Sequence, residues 1–153
     1  MDRSEKYALV NQQIEALLDD ESHVLSELAN VAAVLKETFN FFWVGFYLAD
    51  DQGNLYLGPF QGPLACTNIE LGNGVCGTAA KELRTIIVPD VHQFPGHISC
   101  NAASKSEIVV PLIVKKSCRL VLDVDSDMLN DFNSTDQKGL EAIIEKIKLK
   151  HYC

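Results

Sequence analysis

The sequence predicts an α+β fold in which a central antiparallel sheet carries N- and C-terminal helices on one face and pocket-forming loops on the other. Three observations support this prediction. Apolar residues recur at helical spacing near both ends of the chain, strand-like segments in the middle occur in pairs joined by short polar turns, and the segments between the pairs are long and loop-like. Strands joined by short turns pair antiparallel, and terminal helices bury their apolar stripes by covering the sheet.

The composition is that of an ordinary globular protein, with 153 residues of which 47% are hydrophobic and 22% charged. We therefore expect one domain over residues 1–153. The formal charge is -8 without a basic run, so neither nucleic acid nor a membrane is expected as a partner. The first residues lack the apolar stretch of a signal peptide, which favours the cytoplasm. Five cysteines in such a chain are expected to be thiols rather than a structural disulfide framework.

Two helices are predicted in the first forty residues. Val10 and Ile14 belong to the apolar stripe of the first helix, and the polar residues 19–22 interrupt the pattern. Ser22 is the predicted N-cap of the second helix, whose stripe runs from Leu25 to Leu35. We expect such stripes to cover the sheet or to form a dimer interface.

A strand hairpin follows. Residues 41–48 are too aromatic and β-branched for anything but a strand, residues 51–54 form a turn, and residues 55–60 return as a second strand. Because side chains alternate along a strand, Trp43 and Tyr47 share one face, with Gly45 between them. That face is either sheet core or an aromatic wall beside a pocket, and the spacing does not decide between the two.

The glycine-rich segment from residue 62 to 76 is predicted to be a loop that contains Cys66, followed by a short helix from residue 77 to 83. Cys76 would lie near the first turn of that helix, where the helix dipole lowers the pKa of a thiol. The glycines do not form a P-loop, since the Lys and Ser/Thr of that motif are missing.

A short strand at residues 85–88 leads into a long connection that contains His92 and His97. Histidines near cysteines raise the possibility of zinc, but the sequence has no C-x-x-C or H-x-x-x-H pair. The spacing of Cys66, Cys76 and Cys100 matches no common structural zinc pattern either. We therefore expect no structural metal.

Two further strands, at residues 108–114 and 120–124, are joined by a polar turn. In the second of them Asp123 and Asp125 lie on one face, where two carboxylates repel each other. A ligand ammonium, Arg119, a lysine or simply water at an exposed strand end would compensate. The closing helix begins with a predicted capping box at residues 134–137.

Cys100 has the surroundings of a reactive thiol. It lies in a polar, Ala/Ser-rich loop, and the carboxylate of Glu107 follows in the chain. A thiol that reacts needs exposure and polar neighbours, whereas a core cysteine needs neither. The alternative is a loop cysteine without a role, and Cys118 and Cys153 are interpreted in that way.

These features would converge where the loops cover the free face of the sheet. An aromatic wall, thiols and carboxylates together predict a pocket for a small, cation-bearing, redox-active ligand. The predicted lining consists of Trp43, Tyr47, the loops from Cys66 to Cys100, Glu107, Asp123 and Asp125.

Several motifs, in the same order along the chain, resemble the free methionine-(R)-sulfoxide reductases, which are small stand-alone GAF-domain enzymes. The resemblance runs from about Trp43 to the last helix. It is carried by Leu57 to Gly62, Gly74 to Ala79, Asp90 to His92, Gly96 to Ile98, Lys105 to Val109 and Leu122 to Ser126.

The resemblance implies a GAF fold, a homodimer, and reduction of free L-methionine (R)-sulfoxide with thioredoxin as reductant. It implies that Cys100 is the nucleophile, Cys66 the main resolving cysteine and Cys76 an auxiliary. The family's pocket carboxylates match Glu107, Asp123 and Asp125, and its aromatic wall around the methyl-sulfur end of the substrate matches Trp43 and Tyr47. The sequence departs from the family pattern at Asn101 and Arg119.

The chemistry is consistent with this resemblance. A sulfoxide sulfur is attacked by a thiolate once its oxygen is protonated, and a carboxyl among like charges can keep the necessary proton. The resulting sulfenic acid condenses with a second thiol, and a Cys66–Cys100 bridge requires Cα atoms within about 7 Å. No cofactor is needed.

Two other functions remain as alternatives. A GAF-type sensor would need an output domain or signalling helix, and a peroxide-sensing thiol protein would need no pocket of aromatic rings and carboxylates.

Overall fold

A computed structural model describes residues 1–18, 22–97 and 100–153 of the chain. The helices are α1 (Arg3–Leu17), α2 (Val24–Phe39), α3 (Gly74–Glu82) and α4 (Ser134–His151). The strands are β1 (Trp43–Ala49), β2 (Leu55–Gln61), β3 (Asn68–Ile69), β4 (Ile86–Val88), β5 (Ser106–Val114) and β6 (Ser117–Ser126), and a 3₁₀ turn spans Val91–Gln93.

The six strands form one antiparallel sheet in the order β3-β2-β1-β6-β5-β4. Alternate residues of the central strands, such as Phe46 on β1 and Leu122 on β6, pack against α1, α2 and α4. The opposite face carries α3 and the loops. The predicted α+β architecture is therefore confirmed. None of the described helices is long and apolar enough to cross a membrane.

Both predicted helix caps are displaced by one residue. His23, not Ser22, caps α2, and its Nδ1 accepts a hydrogen bond from Leu25 N at 3.1 Å. The capping box of α4 begins at Asn133, whose Oδ1 accepts from Thr135 N at 2.9 Å. An N-cap residue needs an extended backbone and a side-chain acceptor that reaches the first turn of the helix. In α2 this residue is His23, one position after the predicted cap, and in α4 it is Asn133, one position before the predicted capping box. Residues 19–21 of the predicted helix break lie outside the described residues.

The N- and C-terminal helices are joined by a buried carboxylate. Asp136 at the start of α4 is fully buried and accepts hydrogen bonds from the hydroxyl of Tyr7 at 2.7 Å and from Arg3 at 3.1 Å. Gly139 leaves room for the Tyr7 ring, since a Cβ there would lie 2.3 Å from two ring atoms. Such a buried and fully bonded charge fixes the two helices relative to each other.

The sheet face that α3 and the loops cover differs from the prediction in two respects. Helix α3 begins at Gly74 rather than at residue 77, and β3 was not predicted. Gly77 lies inside the helix because the preceding turn packs on it, and a Cβ there would lie 2.5 Å from Glu70 O. Gly77 therefore allows two backbone segments to pack closely, and it does not mark the start of the helix.

Candidate active site

A pocket lies between the loop-covered face of the sheet and the loops themselves. Its floor contains the carboxylates of β5 and β6, one wall is formed by the aromatic side chains of β1, and Cys100 lies at the mouth. The structure thus brings together most of the predicted site residues. Those that line the pocket are Trp43, Tyr47, Cys76, Cys100, Glu107, Asp123 and Asp125.

Cys66 and Cys100 are joined by a disulfide at the pocket mouth. Their Cα atoms lie 5.4 Å apart, within the range that a disulfide requires, across 34 residues of sequence. Cys100 is exposed and Cys66 is half-buried. Cys100 therefore borders both the pocket and the solvent. Ile98 and Ser99, which belong to the same loop, lie outside the described residues.

The aromatic wall also holds the loop of Cys66. The Tyr47 hydroxyl donates to the carbonyl of Cys66 at 2.9 Å, and Trp43 Nε1 donates to the carbonyl of Pro63 at 3.0 Å. Burial, with the charge of Asp123 next, raises the pKa of Tyr47, so its hydroxyl keeps the proton that it donates. Gly45 leaves room for Phe60 of β2 and for the Trp43 ring, because a Cβ there would lie 2.3 Å from Phe60 Cβ and 2.7 Å from Trp43. These bonds to the loop were not predictable from the strand pattern.

The pairing register of the sheet places the three carboxylates side by side. Glu107 of β5 lies opposite Asp125 of β6, and Asp123 lies opposite Gly45 of β1. All three project from the face that the loops cover, as the alternation on β6 predicts. Glu107 and Asp123 are each only 6% exposed, while Asp125 is half-buried.

The cluster lacks a cationic partner within the described part of the chain. No lysine, arginine or histidine there forms an ion pair with any of the three carboxylates. Arg119, a predicted candidate, instead lies over the ring of Tyr152 at 5.4 Å. Of the predicted sources of compensation, a ligand ammonium therefore fits best.

Burial makes the carboxylate cluster retain protons. Desolvation, followed by the neighbouring charges of Asp123 and Asp125, raises the pKa of Glu107 well above its ordinary value. Desolvation likewise raises the pKa of Asp123 and of Asp125. Asp123 Oδ1 is the one buried side-chain oxygen or nitrogen without a hydrogen-bond partner in the described residues. Glu107 and Cys76 can donate to Asp123 only while they hold their own protons.

The prediction that the helix dipole lowers the pKa of the Cys76 thiol is wrong. Cys76 lies in the first turn of α3, as expected, but it is buried and free. Desolvation, and then the charge of Asp123, raises the pKa of this thiol well above its ordinary value, whereas the helix dipole was expected to lower it. The dipole acts on an exposed group by less than about 1 kcal/mol and cannot offset full burial among carboxylates. Cys76 is therefore a poor nucleophile while it is buried among these carboxylates.

His97 is a pocket residue that the sequence analysis did not assign. Its ring lines the mouth and lies 6.4 Å from that of His92. Partial burial, with a smaller contribution from His92, lowers the pKa of His97 and keeps it neutral at physiological pH. His92 itself lies beside Asp90 at 3.3 Å and is exposed. The available signal was the position of His97 inside the Gly96 to Ile98 motif.

Substituting Glu107 by Gln is expected to stabilise the folded protein against unfolding while damaging the site. The pKa of folded Glu107 is raised above its unfolded value, so its ionisation in the unfolded state opposes folding increasingly as pH rises above about 4.3. Glu107→Gln should add about 1–3 kcal/mol of unfolding free energy at pH 8 and much less at pH 5.

Urea denaturation of both proteins at the two pH values, with a chelator and a reductant present, measures this difference. Glu145→Gln is the matched control, since Glu145 is exposed and should change stability by less than about 0.5 kcal/mol. An equal or lower stability of Glu107→Gln at pH 8 would show that the cluster is compensated in the folded protein.

The fold and the site together define a GAF-domain protein with a disulfide beside a pocket of carboxylates and aromatic rings, and the family model for the GAF domain matches residues 19–148. Two relatives are similar over nearly the whole chain. GAF domain-containing protein A of Dictyostelium discoideum is 55% identical over 94% of this chain and 90% of its own length. The free methionine-R-sulfoxide reductase of Escherichia coli is 44% identical over 97% of this chain and 90% of its own length.

A solved structure is also similar to this chain over nearly its whole length. The free methionine-R-sulfoxide reductase of Neisseria meningitidis, solved in complex with its substrate, superposes with a TM-score of 0.95 at 47% identity, over 98% of this chain and 90% of that chain. The chain belongs to the free methionine-R-sulfoxide reductase family, an enzyme family built on the GAF domain. The resemblance of the sequence motifs is thereby confirmed.

Proposed function

We propose that the protein reduces free L-methionine (R)-sulfoxide to L-methionine with the thiols of Cys100 and Cys66. The observation that carries the proposal is the Cys66–Cys100 disulfide beside a cluster of buried and half-buried carboxylates that have no cationic partner among the described residues. A sulfur-oxidised, amine-bearing small molecule complements both features at once. The substrates named for the related enzymes support this assignment.

The pocket accommodates the substrate in one orientation. Its α-ammonium binds the carboxylates of Glu107, Asp123 and Asp125 at the floor, where a cation offsets their mutual repulsion. Its methyl-sulfur end packs against Trp43 and Tyr47, whose rings provide apolar surface. The sulfoxide sulfur then faces Cys100 at the mouth.

The chemistry balances with protein thiols alone. The Cys100 thiolate bonds to the sulfoxide sulfur while a pocket carboxyl that has retained its proton donates to the oxygen. The oxygen passes to Cys100 as the bond between the two sulfurs breaks. Cys100 is thereby oxidised by two electrons to a sulfenic acid, and methionine leaves with its sulfur reduced by two electrons. The Cys66 thiol attacks the sulfenic acid, and water leaves as the disulfide forms. Cys76 acts as an auxiliary thiol and takes no part in this exchange while it holds its proton.

A second dithiol completes the cycle. The exposed sulfur of Cys100 is open to attack by the thiolate of a protein reductant, and thioredoxin is the reductant that we propose. We further propose a cytoplasmic homodimer in which residues 1–153 form a single GAF domain. A reducing compartment keeps Cys66 and Cys100 supplied with electrons.

Separate incubation with the two methionine sulfoxide epimers tests the function directly. Protein, dithiothreitol and either free epimer are mixed, and free methionine is followed over many turnovers. Turnover of the R epimer alone is the expected result. Thiol oxidation by peroxide with no release of methionine from either epimer would instead identify an oxidant sensor.

Substituting Cys66 by Ser should separate the two halves of the cycle. The first equivalent of methionine should appear at close to the parent rate, because attack needs only Cys100. Steady-state turnover with thioredoxin should fall by at least about tenfold, because no disulfide forms for thioredoxin to reduce. Quenched single-turnover assays and steady-state assays measure the two phases.

Cys153→Ser is the matched control, since Cys153 is exposed at the last residue and should leave both phases unchanged. A lost first equivalent in Cys66→Ser would give Cys66 a role in attack. Peptide mapping of oxidised protein that showed mainly a Cys76–Cys100 bridge would transfer the resolving role to Cys76.

A further inference from the structure

We propose that Cys76, Glu107 and Asp123 form a binding site for one soft divalent cation, such as Zn²⁺ or Cd²⁺, and that metal bound there excludes the substrate. The proposal rests on the proposed function for its second part only, because the ammonium is assigned to the same carboxylates. The cation is an inhibitor and takes no part in the reaction.

Geometry is the first argument for the site. One sulfur and one carboxylate oxygen from each acid lie within 4.8 Å of one another, and all three residues are buried. Ligand atoms that bind Zn²⁺ at about 2.0–2.3 Å lie up to about 4 Å apart around the metal. Small rotations of the side chains therefore bring the three atoms to bonding distance.

An unpartnered oxygen is the second, independent argument. Asp123 is 6% exposed, and its Oδ1 has no hydrogen-bond partner in the described residues. A buried acceptor left in this state is costly, and it is relieved by a proton, an ammonium or a metal ion. Asp123 lies on the pocket face of β6, so its oxygen is available to an ion that enters through the pocket.

The ligand set selects the kind of metal. A thiolate with two carboxylates is typical of Zn²⁺ and Cd²⁺, whereas Mg²⁺ and Ca²⁺ take six or more oxygen ligands. The three ligands give up their protons as the metal binds, and together their charge then exceeds that of a divalent ion. Metal binding should therefore release protons and strengthen as pH rises. Water or the half-buried Asp125 can complete the coordination.

The site is separate from the redox pair. Cys76 is free while Cys66 and Cys100 are joined. The oxidised protein should therefore still bind the metal, and binding can be measured without any catalytic turnover. This separates the metal site from the assignment of the reaction.

The experiment titrates Cd²⁺ into the oxidised full-length protein and follows the ultraviolet charge-transfer absorption of a cadmium-bound thiolate. The background is Cys153→Ser, which removes the exposed thiol. We expect saturation at one equivalent, loss of the band in Cys76→Ser, and at least about tenfold weaker binding in Glu107→Gln and in Asp123→Asn. Cys118→Ser is the control for the other buried thiol and should bind as the background does.

Competition tests the second part of the proposal. Free methionine has the same ammonium as the substrate and should displace Cd²⁺, whereas N-acetylmethionine should not.

Unchanged absorption in Cys76→Ser, or unchanged affinity in both carboxylate variants, would overturn the metal site. A metal that binds but is not displaced by methionine would overturn the exclusion and the place assigned to the ammonium. Absence of sulfoxide turnover in metal-free protein would overturn the function and leave the metal site standing.

Discussion

Cys100→Ser should abolish reduction of methionine sulfoxide, lowering the rate at least about a hundredfold. Serine is nearly isosteric with cysteine but far less nucleophilic toward sulfur, so neither the first equivalent of methionine nor steady turnover should appear. The fold should be retained, because Cys100 is exposed and its only described covalent partner is Cys66. Methionine release and circular dichroism of the same preparation measure the two effects.

Two comparisons make this test specific. Cys153→Ser removes another exposed thiol and should keep full activity. Cys66→Ser removes the other half of the disulfide and should keep the first equivalent of methionine. Cys100→Ser that retains more than a few per cent of the parent activity would place the nucleophile elsewhere, with Cys76 the next candidate.

N-acetylation of the substrate should lower kcat/KM by roughly 30-fold to several thousandfold. The acetylated nitrogen has no charge to pair with Asp123, Asp125 and Glu107, and losing a hydrogen-bonded charge pair from a desolvated site costs about 2–5 kcal/mol. The acetyl group also adds bulk beneath the loops. The protein should therefore act on the free amino acid and fail on sulfoxide in peptides.

A double cycle connects this loss to particular side chains. Asp123→Asn and Asp125→Asn should weaken activity on free methionine sulfoxide much more than activity on the acetylated analogue. Asp127→Asn, at an exposed position just beyond β6, is the matched control and should change neither. Equal losses for the two substrates would show that the carboxylates do not contact the ammonium. Acetylated and free substrate reduced at the same rate would overturn the substrate assignment itself.

The sequence by itself determined the architecture and the composition of the site. Alternation along residues 43–47 and 120–125 separates the residues that face the helices from those that face the loops. Helical spacing at both ends of the chain predicted that terminal helices cover the sheet face opposite the loops. These predictions succeed because strand and helix periods are local properties that a short stretch of chain specifies.

The tertiary structure alone decided how the site residues behave. The register of β5 against β6 places Glu107 opposite Asp125, and the packing of α3 on the sheet buries Cys76 beside Asp123. Burial then reversed the expected direction of the pKa of the Cys76 thiol. The hydrogen bond from Tyr47 to the loop of Cys66 likewise joins segments 19 residues apart. Desolvation and pairing depend on which distant segments meet, and no local pattern contains that information.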